Sequence, residues 1–191
     1  MNGITVYDPE RAWPGYTLFS ETFREPNWSP GRETVIHLID MEGRSVHCWR
    51  QSETTVQSYA QLLPNGNLLY PSHDRSDVSR CANVGLFELT PDSRRVWSIR
   101  ARMDHDFQVR DNGNLLLHTI TESFHPPLGP ELKRHPYMVE VTRKKERVWE
   151  WRGEQHLEEL RALLAPAAWN HLMTGPPANS PSIGPTTIPS N

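Results

Sequence analysis

One strand–turn–strand pattern occurs three times in this chain. The copies are Val35–Trp49 (VIHLIDMEGRSVHCW), Val84–Ile99 (VGLFELTPDSRRVWSI) and Tyr137–Trp151 (YMVEVTRKKERVWEW). Each is an apolar run, a short polar turn and a second run with an aromatic near its end. Aligned on Val46, Val96 and Val148, the copies lie 50 and 52 residues apart. In Val46-His47-Cys48-Trp49 and Val148-Trp149-Glu150-Trp151, alternate side chains point to opposite sides, the period of a strand. Gly43 supplies a residue that tolerates positive φ in the first turn, whereas Thr90–Ser93 and Thr142–Lys145 hold the same place with less obvious turn chemistry.

A second pattern occurs twice, in YAQLLPNGNLLY (Tyr59–Tyr70) and DFQVRDNGNLLLH (Asp106–His118). Both set Asn-Gly between apolar runs, a strong hairpin signal. Hairpin plus hairpin gives four short strands about every 50 residues, the sequence form of a propeller blade. A β-sandwich would also give many short strands, but not near-identical hairpins at a fixed spacing. The expectation is therefore an all-β chain: a partial β-propeller of about three four-stranded blades over residues 1–174. The third blade is expected to be incomplete, because no Asn-Gly hairpin follows Trp151. A short helix takes its place, with Leu157, Leu160 and Leu164 on one face and Pro166 as its stop. Residues 175–191 are rich in Pro, Ser, Gly and Thr and read as a disordered tail. Known propellers close with at least four blades, so three leave an open arc. A fragment, a truncated product and a subunit that completes its ring with a second copy all fit that count.

Composition narrows the function. The net charge of -3 gives no basic surface for nucleic acid. Arg143-Lys144-Lys145 reads as a solvated turn. No apolar run is long enough to cross a membrane, so no membrane partner is expected. The N-terminus has no basic stretch followed by an apolar core, which points to a cytoplasmic chain. Seven Trp at regular positions suggest a repeated packing role. Of the two cysteines, Cys48 lies in an apolar strand and reads as a small core side chain; a Cys48–Cys81 disulfide is the alternative.

Chemistry concentrates on histidine. His105 and Asp106, in MDHDF, stand just before the strand leading into Asn112-Gly113, where a propeller opens on its channel. Imidazole is a natural proton shuttle and nucleophile near neutral pH; a structural His–Asp hydrogen bond is the competing role. His171, after Trp169 and Asn170, reads as a pocket entrance at the start of a strand. His37, His47 and His118 read as packing or edge residues, and His73, Asp74, Arg75 and Asp77 as a polar loop. His125 and His135 carry no assigned role, and His156 opens the helix. No metal-ligand spacing, nucleophile elbow, dinucleotide fingerprint or P-loop is present, so neither a metal nor any other cofactor is expected.

Taken in order, WPGYTLFS (Trp13–Ser20), the first hairpin, LLPNGNLLY, DHDFQVRDNGNLLL, VEVTRKKERVWEW and WNHL resemble the bacterial arylsulfotransferase family. The resemblance spans residues 13 to 173 and covers the N-terminal part of that family's propeller. It implies a six-bladed scaffold that moves a sulfuryl group between phenols through a sulfated histidine, with a phenolic sulfate and a phenol as partners. His105 matches the family's His-Asp-Phe histidine and His171 its Trp-x-His-x-Asn histidine, both contacts to sulfate or phenolic oxygen. The family's Asn is Met173 here, and a thioether cannot replace an amide's hydrogen bonds. The sulfated histidine and its arginine are expected in blades beyond residue 191, so no nucleophile is assigned and the isolated chain is expected to be inactive. A non-catalytic propeller-like interaction module and a truncated family member are the alternatives.

Overall fold

The computed structural model describes residues 4–20, 33–52, 54–56, 59–74, 83–124 and 132–174. The chain is mostly β, as the hairpin patterns require, and its strands form three antiparallel sheets. The first sheet runs β1 (Thr17–Ser20), β2 (Thr34–Ile39), β3 (Ser45–Gln51). The second comprises β4 (Thr54–Val56) and β5 (Gln61–Leu62), both against β6 (Leu68–Asp74), followed by β7 (Asn83–Leu89) and β8 (Arg95–Arg100). The third is a four-stranded meander of β9 (Met103–Val109), β10 (Leu115–Phe124), β11 (Leu132–Val141) and β12 (Arg147–Arg152). The chain divides into two compact units, Met1–Ile99 and Arg100–Asn191.

Among the described residues, five hairpin turns close in one way. The residue before the loop donates its N–H to the carbonyl four residues on and accepts from the third: Asp40/Arg44, Leu63/Asn67, Thr90/Arg94, Arg110/Asn114 and Thr142/Glu146. The last loop residue is left-handed in each, at Gly43, Gly66, Ser93, Gly113 and Lys145. This is a three-residue loop with a single left-handed residue, not the two-residue turn that Asn-Gly favours. The two sequence patterns brace it differently. In the Asn-Gly hairpins, Asn65 and Asn112 Oδ1 accept from the N–H groups of Asn67 and Asn114, at 3.0 Å each. In the others the first residue does this work. Arg44 N–H donates to Asp40 Oδ1 at 2.9 Å, Arg94 N–H to Thr90 Oγ1 at 3.1 Å and Glu146 N–H to Thr142 Oγ1 at 3.2 Å. That bracing is the turn chemistry that Thr90 and Thr142 hide. The aligned valines sit alike as well: Val46, Val96 and Val148 are 47%, 48% and 53% exposed.

The hairpins group differently from the sequence expectation. Each Asn-Gly hairpin shares its sheet with the hairpin that follows it, because β6 pairs along β7 and β10 along β11. The sheet that ends near Trp151 is therefore the four-stranded one, not an incomplete one. The short sheet, with three strands among the described residues, is the first. The helical end also differs. After a single 3-10 turn at Gly153–Gln155, α1 spans Leu157–Leu163 and α2 spans Pro166–Thr174. Pro166 opens α2 and does not stop α1, a first-turn position where its missing N–H has no partner to lose. Among the described residues no helix is long and apolar enough to cross a membrane. The proposed tail, residues 175–191, lies outside the described residues, as does Cys81; Cys48 carries a free thiol.

Register defines two faces in each sheet. One, here the Trp face, carries Leu18, Ile36, Leu38 and Trp49 in the first sheet. In the third it carries Leu116, Met138, Glu140, Trp149 and Trp151. Within Met1–Ile99, the Trp face of the first sheet packs on the opposite face of the second. Ile36, Trp49, Leu68, Tyr70, Phe87 and Leu89 form one buried cluster there. Each such large side chain removed from water contributes roughly 1.5–3 kcal/mol. Polar contacts fix the approach: Arg50 N–H donates to Ser93 Oγ at 2.9 Å and Gln51 Nε2 to the Ser93 carbonyl at 2.8 Å.

Candidate functional site

His105 and Asp106 lie inside β9, not in a loop before it. Phe107 pairs with Leu117 and Met103 with Thr119, so Asp104, His105 and Asp106 face the single residue His118. This is a β-bulge with two residues in excess, a feature that re-aims side chains and recurs beside functional sites. Asp106 is exposed, and its Oδ1 accepts the Phe107 N–H at 2.8 Å. Asp104 Oδ2 lies 3.8 Å from His118 Nε2, both side chains 37% exposed. The bulge therefore gathers the Asp104 and Asp106 carboxylates on one short stretch opposite His118. The side chain of His105 itself lies outside the described residues.

In the second sheet Gln61 pairs with Leu69 and Val56 with Ser72, and the sequence ahead of that Asn-Gly hairpin lacks the charges. Counting back from the matching Gln61 and Gln108, Asp104-His105-Asp106 corresponds to Gln57-Ser58-Tyr59. The scaffold repeats and the chemistry does not.

A cationic cluster follows along the same strands. Arg102 Nη2 donates to Glu122 Oε1 at 2.7 Å, with side chains only 9% and 6% exposed. Arg134 Nε lies 3.5 Å from the same oxygen. Glu122 stands opposite Arg134, and Thr121 opposite the buried His135. Glu122 Oε2 and Thr121 Oγ1 are buried with no hydrogen bond among the described residues. Two guanidiniums thus share one carboxylate, and Arg134 is the more exposed of the two, at 40%. Sequence reasoning missed the cluster, because Arg102, Glu122 and Arg134 are far apart in the chain and meet only through strand register.

At the other end of β9, a cavity of about 310 Å³ is lined by Gln108, Arg110, Asp111, Asn112 and Glu140, with Val109. Asn114 Nδ2 donates to Glu140 Oε1 at 2.7 Å, as Asn67 Nδ2 does to Glu88 Oε1 at 2.6 Å in the second sheet. A further network lies at β11–β12. The Tyr137 hydroxyl donates to Glu150 Oε2 at 2.7 Å, which also receives Arg147 Nη1 at 2.8 Å and Arg152 Nη2 at 3.2 Å. Burial, then the bond to Glu150, raise the Tyr137 phenol above its ordinary range, so it stays protonated. The same hydroxyl, with Arg152 and Arg147 working against a burial penalty, holds the Glu150 carboxyl below its usual range.

His171 is not at the start of a strand. It stands exposed in the last turn of α2, where Trp169-Asn170-His171 is helical. The Arg161 guanidinium sits over the Trp169 ring at 6.0 Å. The bulge joins His105 to Asp106, while His171 belongs to a separate element. Among the described residues no group of three or more His, Cys, Asp and Glu side chains could hold a metal ion. No family model, curated protein or solved structure matches the chain.

Proposed function

We propose that this chain is part of an arylsulfotransferase-type β-propeller, and that the β9 bulge helps to hold a phenolic sulfate. The bulge is the observation that carries the reading. It places His105 and Asp106 at an irregular stretch of the strand backbone, next in sequence to Asp104, whose carboxylate pairs with His118. Arg134, 40% exposed on β11, adds a cation suited to sulfate oxygens. The chain's own share of the reaction is binding and orientation. Sulfuryl transfer needs a nucleophilic histidine, and none of the described residues is assigned that role. The isolated chain is therefore read as able to bind and unable to turn over.

Calorimetric titration with 4-nitrophenyl sulfate tests this. Binding is expected, with no release of 4-nitrophenolate when phenol is added. His105→Ala should weaken binding by about tenfold or more, the worth of one hydrogen bond to a charged group. Equal binding by His105→Ala and the parent chain would remove the reading. A non-catalytic interaction module is the second reading, favoured by the large apolar side chains left exposed on the first and third sheets, Phe19 and Trp149. Complete absence of aryl sulfate binding would favour it.

A further inference from the structure

The first and third sheets each bury one face, and they bury opposite ones. Ile36 opposite Trp49 in the first sheet corresponds to Met138 opposite Trp151 in the third, at equal distance from the same turn bulge. In the first sheet that Trp face is buried, with Ile36 and Trp49 each 2% exposed. Its other face is half open: Val35, His37 and Ile39 are half-buried and Phe19 is 44% exposed. Val6, Trp13 and Tyr16, which lead into β1, add more exposed apolar surface. In the third sheet the pattern inverts. Leu115, Leu117, Val139 and Val141 are buried on the opposite face, whereas Leu116, Met138 and Trp151 on the Trp face are half-buried and Trp149 is 46% exposed.

The molecule shows what a Trp face accepts. In Met1–Ile99 the Trp face of one sheet packs on the opposite face of the next, through Ile36 and Trp49 against Leu68, Tyr70, Phe87 and Leu89. The two half-open faces are one of each kind. By register, Phe19 and His37 on the first sheet hold the places of Tyr70 and Phe87, and their rings already stack at 5.2 Å as Tyr70 and Phe87 do at 5.7 Å.

We propose that two copies of this chain associate head to tail. The Trp face of one copy's third sheet docks on the Phe19 face of the other copy's first sheet. This repeats an interface the chain already builds within itself, and it does not rest on the sulfotransferase reading.

Sedimentation equilibrium with two surface variants tests it. The wild type should reach twice the 22.0 kDa of the chain as concentration rises. Phe19→Asp and Met138→Asp should each be monomeric alone, because every contact needs one intact face of each kind. Mixed in equal amounts they should pair again, since one intact Trp face then meets one intact Phe19 face. Far-UV circular dichroism and melting checks each fold, with Phe19→Ser and Met138→Gln as gentler versions. A wild type that stays monomeric, a variant that associates unchanged, or a mixture that fails to pair would each overturn the proposal. Because Met138 stands opposite His118, 4-nitrophenyl sulfate is titrated into wild-type protein dilute enough to be monomeric, so either idea can fail alone.

Discussion

Trp49 and Trp151 occupy the same place in the same hairpin, three residues past the same turn bulge, yet their surroundings differ. Trp49 is 2% exposed, in edge contact with His47 and set into the core of Met1–Ile99. Trp151 is half-buried, its ring stacked at 4.8 Å on His156 from the turn that follows β12. Local geometry repeats because the turn chemistry repeats. Burial does not, because it depends on what lies against each face.

The largest expected effect breaks that equivalence directly. Trp49→Ala should cost about 3–5 kcal/mol in urea unfolding, as for other buried aromatics. Trp151→Ala should cost about 1–1.5 kcal/mol, because its ring is only partly removed from water. Equal losses would show that the two faces are not different. Next come the turns. Gly43 has φ +79, and a Cβ there would meet Ile4 at 2.9 Å, whereas Gly113 at φ +81 has open space around it. Gly43→Ala should therefore lower stability by about 2 kcal/mol and Gly113→Ala by about 1 kcal/mol. Lys145 holds the same left-handed position at φ 71 without being glycine. Lys145→Gly should raise the third sheet's stability by about 0.5–1 kcal/mol, read as a higher denaturation midpoint.

The smallest effect is in pH. Glu150 has a folded pKa below its unfolded value, so its contribution is present above the ordinary Glu range and fades as pH falls through the folded value. Melting followed from neutral pH into acid should lose less for Glu150→Gln than for the parent chain. The difference will be modest, because the carboxylate is 35% exposed. Identical acid slopes would remove Glu150 from the acid response.

The strands were legible in the sequence because each hairpin carries its own signal. Val46, Val96 and Val148 align correctly, and Asn65 and Asn112 mark real turns. Which hairpins share a sheet was not legible. No local signal in the connections tells which neighbouring hairpin an Asn-Gly hairpin joins, and only the long pairing of β6 with β7 and of β10 with β11 decides it. Pro166 misled for a related reason: proline is as much a helix start as a helix stop. His105 and Asp106 were found by residue type, but the bulge that sets them apart depends on registration against His118. The Arg102–Glu122–Arg134 cluster left no local trace at all. His171 was placed by its neighbours in a motif, and its helix put it elsewhere.

Side-chain hydroxyl-radical footprinting, run from dilute to concentrated protein, tests most directly that the end sheets leave complementary faces open. At low concentration Phe19, Met138 and Trp149 should react readily and Trp49 should not. As concentration rises, Phe19, Met138 and Trp149 should become protected together. Reactivity of Trp49 equal to that of Trp149, or protection of one face without the other, would contradict it.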